Sequence, residues 1–140
     1  MGGAVVAVAL LVGTLSQSPS ESDTGAPRFL RFGGGRPVEI ARESYLHYGF
    51  TLPPGTCTVT GQLQGLAGET KDFQAFLMDD DDYRGWLTSH EAQVYWQTDQ
   101  VAAATINARV PGPGTFHLVV TNTSRLAPKT VAVQAQVECP

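Results

Sequence analysis

Charge is scarce in this sequence. Charged side chains make up 16% of its 140 residues, and the nine lysines and arginines are scattered without a cluster; a soluble domain ordinarily carries about a quarter. The net charge is -4. Binding to nucleic acid needs concentrated positive charge to neutralise phosphates, so no nucleic-acid partner is expected.

Groups suited to bond chemistry are equally thin. The chain has no G-x-S-x-G elbow, and neither of its two cysteines sits near a helix start that would lower its pKa. Of the three histidines, His47 and His117 fall in expected strands and His90 in an expected loop, none at metal-ligand spacing. Gly33, Gly34 and Gly35 are followed by no Lys-Ser or Lys-Thr, which excludes a phosphate loop and leaves a flexible hinge. No catalytic residue, no cofactor site and no enzymatic activity are expected.

Long apolar runs are confined to the start of the chain. Residues 1–20 contain no charged side chain, and residues 4–12 are continuously apolar. As a helix, residues 2–15 would reach only about 21 Å, short of the roughly 30 Å hydrocarbon core of a membrane, which favours a cleaved signal. Against cleavage, no lysine or arginine precedes the run and no Ala-x-Ala site follows it. Signal and retained short anchor both remain open, and both place the rest of the chain outside the cytoplasm, in a periplasmic or secreted setting. Residues 21–37, rich in Ser, Gly and Pro, read as a linker, and residues 38–140 as one domain with a single core.

What is there, from residue 38 onward, is alternation with period two, interrupted by Gly and Pro clusters. Strands are expected at 44–52, 57–63, 71–78, 92–96, 102–110, 114–120 and 129–139, with turns at PPGT (53–56) and PGPG (111–114). Leu46, Tyr48, Phe50 and Leu52 share one face; Cys57, Val59 and Leu63 share another, opposite Thr58, Thr60 and Gln62; Val131, Val133, Ala135, Val137 and Cys139 share a third. Seven or so short strands predict an all-β, two-sheet antiparallel sandwich of jelly-roll or immunoglobulin-like type. Cys57 and Cys139 are both in phase with inward residues, which predicts a disulfide; closing that loop removes about 4.5 kcal/mol of chain entropy from the unfolded state.

Residues 79–86, DDDDYRGW, are the one conspicuous acidic stretch. Counted from Asp80, the stretch follows a calcium-loop template through Asp82, Gly85, Leu87 and Glu91. The fifth position is Arg84, a cation where an oxygen ligand belongs. Asp80, Asp82 and Glu91 are therefore weak metal candidates, with calcium the only ion in view, and an exposed turn between strands is the expectation. Four adjacent aspartates on one solvated turn share one environment, which excludes the separated acid-base pair of a glycosidase. Tyr83, Trp86, Tyr95 and Trp96 lie close to this turn and form a candidate interaction surface, with packing of Trp86 and Trp96 over the sandwich end as the competing reading. Asn122-Thr123-Ser124 is a glycosylation sequon, usable only in a eukaryotic secretory pathway.

Residues 113–137, PGTFHLVVTNTSRLAPKTVAVQAQV, carry a resemblance through Pro113 and Gly114 at a turn, Phe116, then Asn122 and Ser124, then Lys129, Thr130 and Val131. The pattern resembles the closing hairpin of the Golgi-dynamics (GOLD) domain and small exported bacterial β-sandwiches. The cysteine that the receptor family places in this hairpin is Val119 here, so cargo-receptor activity is not carried over. The resemblance implies binding through sheet faces, edges and end loops without bond chemistry. Two functions follow: a membrane-tethered accessory subunit that docks its sandwich onto the protein subunits of a larger membrane complex, or a secreted calcium- or carbohydrate-binding module.

Overall fold

The structure, a computed structural model, describes residues 29–67 and 71–140. The apolar segment at 1–20 and the start of the linker lie outside these residues. The described elements are β1 (Phe29–Phe32), β2 (Pro37–Ile40), β3 (Ser44–Ala67), β4 (Gln74–Asp79), helix α1 (Asp80–Ser89), β5 (Trp96–Gln97), β6 (Ala103–Asn122) and β7 (Lys129–Glu138). All strand pairings among them are antiparallel, in the order β1-β7-β3-β6-β4-β5, with β2 also on β7. The all-β class read from the alternation holds.

Two of the expected turns do not reverse the chain. PPGT lies inside the 24-residue β3, and PGPG lies inside the 20-residue β6, directly across from it. Leu52 pairs with Gly114 and Gly55 with Gly112, with a register shift between the two pairs. Proline lacks the N–H that a ladder requires and is tolerated at a bulge, so the two strands break together and bend together. Gly112 is required here: a Cβ would collide with the carbonyl of Pro53.

The bend turns one long pair of strands into two layers. The first half of β3 and the second half of β6 continue into β4 and β5, while the second half of β3 continues through β7 to β1 and β2. Phe32 on β1 packs against Tyr48 and stacks on Phe50 of β3, with centroids 5.1 and 5.3 Å apart, although β1 is bonded only to β7. The core between the layers takes Leu46, Tyr48, Phe50, Val59, Leu63, Leu77, Ile106, Leu118, Val133 and Val137, all essentially inaccessible. Each such side chain contributes about 1.5–3 kcal/mol by leaving water.

Three boundaries differ from expectation. Residues 29–37 are part of the fold: Leu30 and Phe32 are buried on β1, and Gly33 to Gly35 form a tight left-handed turn at φ 82°, 60° and 71°. The Gly35 N–H donates to the Val133 carbonyl at 2.9 Å, so the glycines pack on β7 and are no hinge. Secondly, β6 and β7 do not form the hairpin of the Golgi-dynamics resemblance, because β3 lies between them. Their crossover is tied by Asn122, whose buried amide donates to the carbonyls of Ile40, Ala41 and Ala127 at 3.1, 3.2 and 3.0 Å, and whose Oδ1 accepts from the Ser124 N–H. The sequon nitrogen is thus inside the fold and engaged, which corrects its reading as a glycan acceptor. Thirdly, the acidic turn is a helix.

Candidate functional site

Helix α1 follows from the aspartates that seemed to make a turn. Asp79 is its N-cap, in extended backbone, and its Oδ1 accepts the Asp82 N–H at 2.8 Å. Asp80, Asp81 and Asp82 then occupy the first turn, where negative charge complements the partial positive charge of the unpaired N–H groups. The helix ends where His90 turns left-handed and its N–H caps the Trp86 carbonyl at 2.8 Å. This corrects the calcium-loop template: Asp80 and Asp82 are helical, and Glu91 lies beyond the helix. Asp82 Oδ1 instead accepts the Gln93 N–H at 3.1 Å. Among the described residues no group of three or more His, Cys, Asp or Glu is placed to hold a metal ion.

The helix covers the outer face of the first layer. Tyr45, Met78 and Val119 on the sheet meet Tyr83 and Trp86 on the helix. The candidate aromatic surface is thereby divided. Tyr83 is buried; Trp86 is half-buried, edge-on to Tyr45 at 5.1 Å; Trp96 sits on β5 against the main core; Tyr95 alone is exposed, edge-on to Phe116 at 5.8 Å. Two of the four serve to dock the helix, one packs on the core, and they do not form one exposed patch.

Beneath the helix lies a polar cluster that the sequence reading did not assemble. His47 on β3 and His117 on β6 point to the same outer face with ring centroids 5.2 Å apart, and Tyr83 stacks over both, 4.9 Å from His47 and 4.1 Å from His117. The Tyr83 hydroxyl lies 3.4 Å from His47 Nδ1 and 3.3 Å from the Tyr45 hydroxyl. His117 Nε2 meets Asp80 Oδ1 at 2.9 Å, and the other Asp80 oxygen accepts from Arg84 at 3.0 Å. Burial, reinforced by His117, holds His47 down to about 4, and burial outweighs Asp80 in lowering His117 as well. At neutral pH both rings are therefore uncharged, and the His117 contact is a hydrogen bond donated to a carboxylate rather than an ion pair.

Burial likewise pushes the Tyr83 phenol up, so it stays protonated. An Asp–His contact is the orienting half of a nucleophile relay, but His117 Nδ1 is buried with no partner among the described residues. With Tyr83 stacked across both imidazoles, the cluster can clamp the helix to the sheet and take up protons in acid. Its only sequence signal is phase: His47 and His117 each fall opposite the inward residues of their strands, and only the strand register brings them together.

The outer face of the second layer is open. Register places Arg31, Gln136, Thr60 and Asn107 in one row across β1, β7, β3 and β6. A parallel row holds Gln134, Gln62 and Thr105. Between β1, β7 and β3, Arg31, Thr60, Gln62, Gln134 and Gln136 line a groove of about 550 Å³, floored in part by Gly34 and Gly61. At the end of this layer Cys57 on β3 and Cys139 after β7 form the expected disulfide, with Cα atoms 4.3 Å apart and a sequence separation of 82.

No family model matches the chain, and no curated protein matches it. Among solved structures it is similar to the pre-peptidase C-terminal domain of a collagenase from Bacillus anthracis, at 10% identity over 73% of this chain and 89% of that one, with a TM-score of 0.49. It is also similar to PliG, a periplasmic inhibitor of g-type lysozyme from Aeromonas hydrophila, at 12% identity over 89% of this chain and 96% of that one, with a TM-score of 0.49.

Proposed function

We propose that this chain is a non-enzymatic binding module that works outside the cytoplasm, and that its working surface is the open polar face of the second layer. The observation that carries the reading is the groove along Arg31, Thr60, Gln62, Gln134 and Gln136. Its side chains project from paired strands, which fixes their spacing before a ligand arrives. The disulfide supports the compartment, since such bonds persist where thiols are not kept reduced. The opposite face supports the choice of surface, because helix α1 and the two histidines already cover it.

The test is co-sedimentation of the purified chain with the insoluble envelope fraction of its own cells. Wild type sediments, and the Gln62→Glu/Gln134→Glu variant stays in solution with unchanged near-ultraviolet circular dichroism. Equal sedimentation of the two would overturn the assignment of this face. Service as a membrane-tethered accessory subunit adds the further requirement that residues 1–20 are retained. An intact mass showing them on the membrane-bound protein supports that extension, and a mass lacking them removes it.

A further inference from the structure

From the same groove, and resting on the reading that this face is the working surface, we infer that the ligand is a neutral polysaccharide, bound with its chain running across the strands. Gln62 and Gln134 are direct neighbours on β3 and β7, and Thr60 and Gln136 form the adjacent pair. Each amide presents two donors and an acceptor in one plane, and each threonine hydroxyl both donates and accepts. Neighbouring hydroxyls on a sugar ring have the same dual character at the same close spacing, so one amide can bridge two of them. Neighbouring strands are about 4.8 Å apart, close to the length of one pyranose residue in a linear chain. Rows that cross β1, β7, β3 and β6 therefore repeat with the period of such a polymer.

The competing ligand classes fit less well. An anionic polymer calls for a cluster of cations, and Arg31 is the one charged residue lining the groove, with its guanidinium already over the Phe29 ring at 4.9 Å. A protein partner is anchored by aromatic and aliphatic side chains in a dehydrated centre, whereas the groove centre is built from glutamine and threonine. Phe29, exposed two residues before Arg31 on β1, lies beside the groove and not in its lining, and its ring already carries the Arg31 guanidinium.

The experiment has two arms on the full chain. In the first, isothermal titration uses neutral hexasaccharides of glucose, xylose, mannose and N-acetylglucosamine, with polygalacturonate as the acidic comparator. At least one neutral hexasaccharide is expected to bind, polygalacturonate is not, and Gln62→Ala/Gln134→Ala is expected to weaken binding about tenfold. Both glutamines are exposed, so the variant keeps its fold. Failure of every neutral sugar, or equal affinity of wild type and variant, overturns the inference.

In the second arm the envelope fraction is treated with periodate, which cleaves vicinal diols, or with protease. Loss of sedimentation after periodate alone supports a glycan. Loss after protease alone, with Gln62→Glu/Gln134→Glu still defective, overturns the glycan and leaves the working face standing.

Discussion

Acid should destabilise the fold through the histidines under helix α1, and His47 allows the size of the effect to be worked out. Its pKa is about 4 in the folded chain against 6.5 for the free side chain. Between those values the unfolded chain binds the proton and the folded one does not, so stability is complete above pH 6.5 and falls as the pH drops toward 4. The full penalty is on the order of 3 kcal/mol, of which about 2 kcal/mol is lost by pH 5. His117 shifts in the same direction, but Asp80 opposes its shift, so its share is smaller. Tyr83, Tyr45, Asp79, Asp80 and Arg84 are the other titratable groups around the pair, and of these the Asp80 carboxylate and, more weakly, Asp79 favour a charged His117 ring.

The assay is urea unfolding at pH 7.5 and pH 5.0, followed through Trp86 and Trp96, for wild type and His47→Leu. Wild type should lose about 2 kcal/mol between the two pH values, and His47→Leu should lose well under half of that whatever its absolute stability. Equal losses would refute the argument, because the pH dependence would then originate elsewhere.

Four further outcomes follow from individual contacts. Replacing both Cys57 and Cys139 with serine should lower stability by about 4.5 kcal/mol on the chain-entropy model, and urea titration with and without reductant should give matching values for variant and reduced wild type. Asp79→Ala removes the cap that holds the Asp82 N–H and should cost about 1 kcal/mol, with hydrogen exchange rising at residues 80–84 more than in the strands. Tyr48 has a buried hydroxyl with no partner among the described residues, so Tyr48→Phe should be neutral or stabilising by up to about 1 kcal/mol in thermal unfolding. Secretion from a eukaryotic host should yield chain without glycan at Asn122 by mass, since its nitrogen is enclosed by three carbonyls.

Much of the fold was legible in the alternation. Every inward residue named for residues 44–63 and 129–137 is buried, and the pairing of Cys57 with Cys139 followed from phase alone. The signals that misled were those whose meaning depends on a distant partner. Pro53-Pro54-Gly55 is compatible with a reversal and with a bulge, and only Gly112 across the ladder makes it a bend. FLRF at residues 29–32 alternates correctly, yet its glycine flank hid a strand whose only bonds are to the far end of the chain. Asp79 to Asp82 suit a hydrated turn and a helix N-terminus equally; the apolar face offered by Tyr45, Met78 and Val119 decides for the helix.

The bend also explains how one strand can serve two purposes. Before Pro53, β3 reads Ser-Tyr-Leu-His-Tyr-Gly-Phe, with every residue buried, because the core takes one face and helix α1 the other. After Gly55 the same strand alternates Cys, Val and Leu inward with Thr58, Thr60, Gln62 and Gln64 outward, the composition of a sheet with one wet face. The two halves belong to one continuous strand paired with β6 on either side of the bulge, so the covered layer lends its packing to the layer left open. If that coupling holds, Gly112→Ala, which sets a methyl group against the Pro53 carbonyl, should perturb both halves at once. Amide shifts should move at His117 under the helix as well as at Gln62 in the groove, and shifts confined to residues 53–56 and 111–114 would show that the bend insulates the two layers instead of joining them.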